Sequence, residues 1–267
     1  MTKMFASKSV MIVGTSMIQR AYSVKYMGFG IGLSDWYSRL ADIFLRGQSG
    51  YNSRWILTSL PELIGSQKPD MAILFLGNND SVTSKGVQSV PVEEFRSNVV
   101  AIMKTFRSVN PDVTFLLLTP TKATKVGRID SVTEKYVMAV REIGEHNYRT
   151  AVVELWDGDN AIIPSDLCDG LHLNATGNQK VLLGIKAAIR SHFHEFLPFD
   201  DREFPSSDQE NIENQKVSDD EVYTIERKAP QKKKRLQWLF PPWKELIGKN
   251  IEESSRVINL ARMRNFL

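Results

Sequence analysis

The segment that decides the fold is Met71-Ala72-Ile73-Leu74-Phe75-Leu76-Gly77-Asn78-Asn79-Asp80, in which six apolar residues lead into a polar turn. An apolar run without polar alternation is typical of a parallel strand that is covered on both faces. Similar runs occur at residues 10–13, 43–45, 113–118 and 151–155. The sequence therefore predicts five buried strands.

Helical patterns separate these strands. The clearest helix begins at Pro91, carries Glu93 and Glu94 in its first turn, and ends at Asn110-Pro111. Further helices are expected near residues 33–41, 132–148 and 175–194. This alternation predicts an α/β protein, a three-layer α/β/α sandwich with a five-stranded, mostly parallel flavodoxin-like sheet.

Candidate catalytic or binding residues follow the first three predicted strands. Ser16 follows the first strand, Gly50 the second and Asn79 the third. In open α/β sheets, ligands bind beyond the carboxyl ends of the strands, near the topological switch point. We therefore expect these residues to share one site.

The residue types at this site suit a serine nucleophile. Such a nucleophile requires a base, an acid that orients the base, and donors directed at the developing oxyanion. In Asp169-Gly170-Leu171-His172 the turn permits the carboxylate to hold one imidazole nitrogen while the other faces Ser16. Asn79 adds an uncharged side-chain N–H donor.

Each motif has a structural alternative when it is considered alone. Gly14-Thr15-Ser16 and Gly77-Asn78-Asn79-Asp80 are compatible with ordinary turns, and Asp169 with a loop acid before a helix. The first motif is also not the Gly-x-Ser-x-Gly elbow of α/β-hydrolases, because residue 18 is Ile. The functional interpretation therefore depends on the motifs occurring together.

In their order, the motifs resemble those of the SGNH (GDSL-type) esterase and lipase superfamily. The resemblance extends from about residue 10 to residue 198 and rests on Gly14-Thr15-Ser16, Ser49-Gly50, Gly77-Asn78-Asn79-Asp80 and Asp169-Gly170-Leu171-His172. The stretch Arg46-Gly47-Gln48-Ser49-Gly50-Tyr51-Asn52-Ser53-Arg54-Trp55 is similar in particular to the isoamyl-acetate-hydrolysing esterase branch.

The resemblance implies a role for each matching residue. Ser16 would be the nucleophile, with Asp169 and His172 completing the triad, and the N–H groups of Ser16 and Gly50 and the amide of Asn79 would form the oxyanion hole. The implied activity is hydrolysis of short-chain, acetate-type carboxylic esters through an acyl-enzyme, with no cofactor and no metal.

Two departures from the family pattern concern the site. Thr15 stands where the family usually has aspartate, and a hydroxyl replaces only part of a carboxylate's hydrogen bonding. Lys122 and Lys125 add charge near the expected acyl or alcohol pocket.

Beyond the predicted sheet the composition changes. We expect residues 1–199 to form the hydrolase domain, residues 200–235 a polar, disordered insertion or linker, and residues 236–267 an aromatic and helical tail that docks on the hydrolase domain. The run Lys232-Lys233-Lys234-Arg235 suits a solvated linker, with a nuclear-localisation signal as the alternative.

The composition indicates which kinds of partner the protein binds. A net charge of +3 over 267 residues does not favour nucleic acid, so the expected partner is a small-molecule ester; a homo-oligomer is also compatible with the sequence. The apolar run at residues 10–13 is too short for a membrane span or a signal peptide, which predicts a cytoplasmic protein.

Three other residues with side chains able to react or bind a metal have a structural interpretation. Cys168 is interpreted as a small buried residue beside the active loop. His192 and His194 lie two residues apart and do not share a helix face as metal ligands would.

Three other functions were compared with the esterase hypothesis. The same triad serves an acyltransferase whose acceptor is not water. A catalytically weakened SGNH-fold binding module is compatible with Thr15. A flavodoxin-like nucleotide binder is disfavoured, because the sequence has no Gly-rich phosphate loop that opens a helix.

Overall fold

A five-stranded sheet forms the centre of the described residues. The computed structural model describes residues 8–83 and 88–198. Its strands are β1 (Lys8–Gly14), β2 (Ala41–Gly47), β3 (Met71–Phe75), β4 (Thr114–Leu118) and β5 (Thr150–Val153). All neighbouring pairs are parallel and the strand order is β2-β1-β3-β4-β5. This order is the flavodoxin-like one, and the predicted fold class is confirmed.

Helices cover both faces of this sheet. They are α1 (Ser16–Gln19), α2 (Phe29–Trp36), α3 (Ser53–Ile64), α4 (Val92–Val109), α5 (Asp130–Glu145) and α6 (Ala175–His192). Short 3₁₀ turns lie at Val24–Tyr26, Pro164–Asp166 and His194–Phe196. Apolar residues of α1, α2 and α6 pack on one face, and those of α3, α4 and α5 pack on the other.

The two cores explain the apolar runs. In β1, Val10 and Ile12 point into the core beneath α2 and α6, whereas Met11 and Val13 point into the core beneath α3 and α4. All four side chains are fully buried. A strand buried on both faces has no solvent side to which a polar residue could be assigned, so polar alternation disappears.

The predicted helices agree with the structure to different degrees. The helices predicted at 91–110, 132–148 and 175–194 are present as α4, α5 and α6, with ends within three residues. The helix predicted at residues 33–41 was wrong in its bounds. It ends at Trp36, since Ala41 already pairs with Lys8 in the sheet.

Helix α3 was not predicted. Pro61 lies inside it, and proline removes a backbone donor and disfavours a helix interior. The helix is held instead by burial of Ile56, Leu60 and Ile64, which lie four residues apart on one face. Tertiary packing therefore outweighs the local preference.

The strand order defines where a site can form. The chain passes from β1 to β2 on one side and then returns to β3 on the other side of β1. In the register, Gly14 of β1 lies opposite Gly47 of β2 and Phe75 of β3. The loops that follow β1, β2 and β3 therefore begin at the same end of the sheet, where the strands have their carboxyl ends. A Cβ atom on Gly47 would lie 2.1 Å from the backbone nitrogen of Gln19, so glycine is needed for α1 to cross the end of β2.

The predictions for residues 200–235 and 236–267 lie outside the described residues. Within residues 8–83 and 88–198, no helix is long and apolar enough to cross a membrane.

Candidate active site

Three of the predicted residues come together at the switch point. Ser16 is the first residue of α1, and its Oγ lies 2.9 Å from Nε2 of His172. Nδ1 of the same imidazole lies 2.6 Å from Oδ2 of Asp169. With the Nδ1–H donating to the carboxylate, Nε2 is left to accept the hydroxyl proton of Ser16. Ser16 and His172 are 7% and 8% exposed, which limits competition from water.

The turn that carries the acid and the base is held by its own backbone. Oδ1 of Asp169 accepts hydrogen bonds from the N–H groups of Leu171, at 3.1 Å, and of His172, at 2.8 Å. Gly170 has φ = 75°, a left-handed value that glycine adopts without strain. A Cβ atom there would also lie 2.7 Å from Oγ1 of Thr124. The spacing Asp-Gly-Leu-His thus orients the carboxylate towards the imidazole.

The protonation states suit base catalysis. Burial would raise the pKa of Asp169, but the hydrogen bonds from His172 and Leu171 outweigh it and lower that pKa to about 2. Burial lowers the pKa of His172, and the charges of Arg20 and Lys125 lower it further, against the opposing effect of Asp169. At neutral pH the carboxylate is therefore ionised and the imidazole is neutral.

The lowered pKa of His172 predicts how the activity depends on pH. We expect the acid limb of kcat/KM to lie below the ordinary histidine pKa of 6.5. Activity is complete above that limb and is lost as the pH falls through the pKa of His172, because protonation removes the acceptor at Nε2. The measurement is kcat/KM for an uncharged activated acetate ester as a function of pH.

A matched pair of lysine variants tests whether the charge of Lys125 contributes to the lowered pKa of His172. Lys125→Ala should move the limb to higher pH, because the charge of Lys125 lowers the pKa of His172. Lys104→Ala, an exposed position on α4, should leave the limb in place. A wild-type limb above pH 6.5 would show that the pKa of His172 is not lowered in the folded protein.

The three predicted oxyanion donors lie on adjacent loops. Oε1 of Gln19, on α1, accepts the N–H of Ser49 at 2.9 Å and joins the loop after β1 to the loop after β2. Nδ2 of Asn79 donates to the carbonyl of Tyr51 at 2.7 Å and joins the loop after β3 to the same segment. Within the part of the chain that the structure describes, the N–H groups of Ser16 and Gly50 make no hydrogen bond to another residue.

Asp80, the last residue of Gly77-Asn78-Asn79-Asp80, was given no role in the sequence analysis. It is fully buried, and its Oδ1 accepts the N–H of Ser53 at 2.8 Å. Burial raises its pKa. The contact fixes the start of α3, and with it the end of the segment that carries Gly50, to the loop after β3.

Thr15 occupies the N-cap position of α1 and is buried. Its side chain makes no capping hydrogen bond. Its carbonyl oxygen instead accepts the N–H groups of Ile18, at 3.1 Å, and Gln19, at 3.0 Å. The turn between β1 and α1 is therefore held by backbone contacts that do not require an aspartate.

We accordingly expect Thr15→Asp to change kcat/KM by no more than several-fold, or about 1 kcal/mol. Thr15→Val, which removes the hydroxyl at similar size, should have an equally small effect because that hydroxyl caps nothing. The measurements are kcat/KM and the rate of fluorophosphonate labelling. A more than tenfold gain in kcat for Thr15→Asp would show instead that the wild-type turn is loose.

Cys168 and Lys122 are two other side chains that the sequence places near the site. Cys168 is exposed, so its interpretation as a buried residue was wrong. The neighbouring Leu167 and Leu173 form an antiparallel bridge, and both of their side chains are buried. Lys122 lies 5.2 Å from the centre of the Trp156 ring in a cation–π contact.

Known proteins are similar to this chain in sequence. Residues 13–180 match the GDSL-like lipase/acylhydrolase family. The chain is 32% identical over 195 residues to the isoamyl acetate-hydrolyzing esterase 1 homolog of Bos taurus, covering 64% of this chain and 77% of the relative. It is 29% identical over 197 residues to the isoamyl acetate-hydrolyzing esterase of Schizosaccharomyces pombe, covering 70% and 77%.

Solved structures share the fold. An acetylxylan esterase from Geobacillus stearothermophilus aligns with a TM-score of 0.56 at 17% identity, covering 70% of this chain and 96% of that one. A lipase/acylhydrolase from Enterococcus faecalis aligns with a TM-score of 0.57 at 20% identity, covering 69% and 96%.

The fold and the family match define a carboxylic ester hydrolase. The chain belongs to the GDSL-like lipase/acylhydrolase family, and its similarity to the isoamyl acetate-hydrolysing branch of the SGNH superfamily is confirmed.

Proposed function

We propose that this protein is a serine esterase that hydrolyses short-chain, acetate-type carboxylic esters through an acyl-enzyme. The observation that carries the proposal is the pair of contacts at His172, 2.9 Å to Oγ of Ser16 and 2.6 Å to Oδ2 of Asp169. They connect a nucleophile, a base and an acid in the order that acyl transfer requires.

The first half-reaction acylates Ser16. Its Oγ attacks the ester carbonyl while its proton passes to Nε2 of His172, and Asp169 stabilises the imidazolium that forms. The oxyanion is stabilised by the N–H groups of Ser16 and Gly50 and by the amide of Asn79. Collapse of the tetrahedral intermediate breaks the bond to the alcohol, which leaves with the proton from His172.

The second half-reaction restores the enzyme. Water gives a proton to His172 and attacks the acyl carbonyl, and the same donors stabilise the second oxyanion. Collapse releases the carboxylic acid and returns the proton to Oγ of Ser16. The residues require no cofactor for either step.

The acetate preference is inferred from the relatives. The Schizosaccharomyces pombe relative is named for hydrolysis of isoamyl acetate. The structural neighbour from Geobacillus stearothermophilus is an acetylxylan esterase. We extend this acyl preference to the present chain, with a small-molecule ester as its partner and the cytoplasm as its compartment.

A series of activated esters tests the proposal. The full chain should hydrolyse p-nitrophenyl acetate with a higher kcat/KM than the octanoate, and a fluorophosphonate probe should label Ser16. Product analysis with an added alcohol separates hydrolysis from acyl transfer, because an acyltransferase would yield a new ester. A protein that neither hydrolyses these esters nor labels at Ser16 would be a binding module instead.

A further inference from the structure

Arg128 contacts the loop after β3 with both ends of its guanidinium group. It lies between β4 and α5, two residues before the start of α5. Its Nη2 donates to Oδ1 of Asn79 at 3.0 Å, and its Nη1 donates to the backbone carbonyl of Asn78. The planar fork of arginine suits two neighbouring acceptors, which a single ammonium group cannot span in the same way.

These contacts determine the orientation of the Asn79 amide. A guanidinium group only donates, so it fixes the amide oxygen on its own side and the NH₂ group on the other. One of the two N–H bonds of that NH₂ group then donates to the carbonyl of Tyr51 at 2.7 Å. The second N–H is the one that remains for a substrate oxyanion.

The charge of Arg128 is not neutralised nearby. Among residues 8–83 and 88–198, Arg128 forms no salt bridge with a carboxylate. The side chain is half-buried, and this burial lowers its pKa. A partly desolvated cation bonded to an amide oxygen polarises the amide and strengthens its N–H as a donor.

The loop that carries Arg128 is itself anchored. The carbonyl of Gly127 accepts hydrogen bonds from the backbone N–H of Thr83 at 2.9 Å and from its hydroxyl at 3.1 Å. The N–H of Arg128 donates to the carbonyl of Lys125 at 3.2 Å. These contacts hold the backbone around Arg128 against the loop after β3, so its guanidinium group stays close to Asn78 and Asn79.

We propose that Arg128 is a positioning residue of the oxyanion hole, which orients the Asn79 amide towards the substrate carbonyl and places a positive charge behind it. The inference rests on the proposed function, in which Asn79 stabilises the oxyanion. Arg128 acts through Asn79 and does not touch the substrate.

Kinetics of Arg128 variants in the full chain test this role. Arg128→Ala should lower kcat for an activated acetate ester by about tenfold, less than loss of the donor itself, with KM within about threefold of wild type. Arg128→Lys should have an intermediate kcat, because it keeps the charge and loses the two-point contact. Arg107→Ala is the matched control, since this half-buried arginine on α4 donates to the carbonyl of Tyr148 and should leave kcat unchanged.

A double-variant cycle decides whether the effect passes through Asn79. The Asn79→Ala, Arg128→Ala double variant should have the same kcat as Asn79→Ala alone, because Arg128 has no amide left to orient. Additive losses would overturn the proposal, as would a raised KM with unchanged kcat.

The failure of this proposal is distinguishable from the failure of the proposed function. If Asn79→Ala lowers kcat and Arg128→Ala and Arg128→Lys do not, only the role of Arg128 is wrong. If Ser16→Ala retains activity, the esterase mechanism itself is wrong. Thermal midpoints of all variants, together with fluorophosphonate labelling, separate a loss of kcat from a loss of folded protein.

Discussion

Ser16→Ala should lower kcat for an activated acetate ester by roughly six orders of magnitude, and His172→Ala should have a comparable effect. In the proposed mechanism, Oγ of Ser16 forms the covalent bond, and Nε2 of His172, which lies 2.9 Å away, takes its proton. Since neither group works without the other, the double variant should be hardly worse than either single variant. The measurement is single-turnover and steady-state hydrolysis of p-nitrophenyl acetate.

The fold should survive both changes. Replacing the Ser16 hydroxyl by hydrogen at the first position of α1 introduces no new volume. Ser59→Ala is the matched control, because its hydroxyl donates only to backbone carbonyls within α3 and its loss should leave kcat unchanged. Wild-type turnover by Ser16→Ala, or by His172→Ala, would contradict the triad assignment.

Asn79→Ala should lower kcat by about a hundredfold to a thousandfold, or about 2.7–4 kcal/mol of transition-state stabilisation, with little change in KM. In the proposed mechanism, the free N–H of this amide strengthens its hydrogen bond only as negative charge develops on the carbonyl oxygen. Removal of the side chain also leaves the guanidinium group of Arg128 without one of its two acceptors. The measurement is the separate determination of kcat and KM.

A second asparagine provides the control for this variant. Nδ2 of Asn110 donates to the carbonyl of Pro69 at 2.9 Å, at the opposite edge of the sheet, so Asn110→Ala loses a similar contact. It should leave kcat unchanged. An unchanged kcat with a raised KM for Asn79→Ala would instead assign Asn79 to ground-state binding of the substrate.

Much of the fold was predictable because burial on two faces leaves a simple pattern. Each strand contains an apolar run, and α4 has both ends marked by Pro91 and Asn110. The prediction that all five strands are buried was wrong for β2, which also carries Asp42 and Arg46 and has no buried residue. The errors occur where distant pairing decides the structure. The pairing of Ala41 with Lys8 ends the helical region before β2, and the core contacts of Ile56 and Leu60 maintain a helix around Pro61.

The candidate site divides in the same way. Ser16, Asp169 and His172 were predicted because their motifs are short and occur in order, and the structure brings their side chains into hydrogen-bonding contact. Arg128 was missed because its contact with Asn79 joins residues 49 positions apart, and no local pattern encodes such a pair. The exposure of Cys168 was missed because the residues around it in the sequence do not show which side chains of this loop are covered.

The order of the strands also has a consequence for synthesis. The proposed nucleophile and all three oxyanion donors lie before residue 80, whereas the turn with Asp169 and His172 follows β5. A nascent chain that has emerged only as far as β4 holds Ser16 and its donors without any base to activate them. In the proposed mechanism, hydrolysis would begin only when the turn before α6 reaches the switch point, so ester cleavage would report that β5 and α6 have assembled.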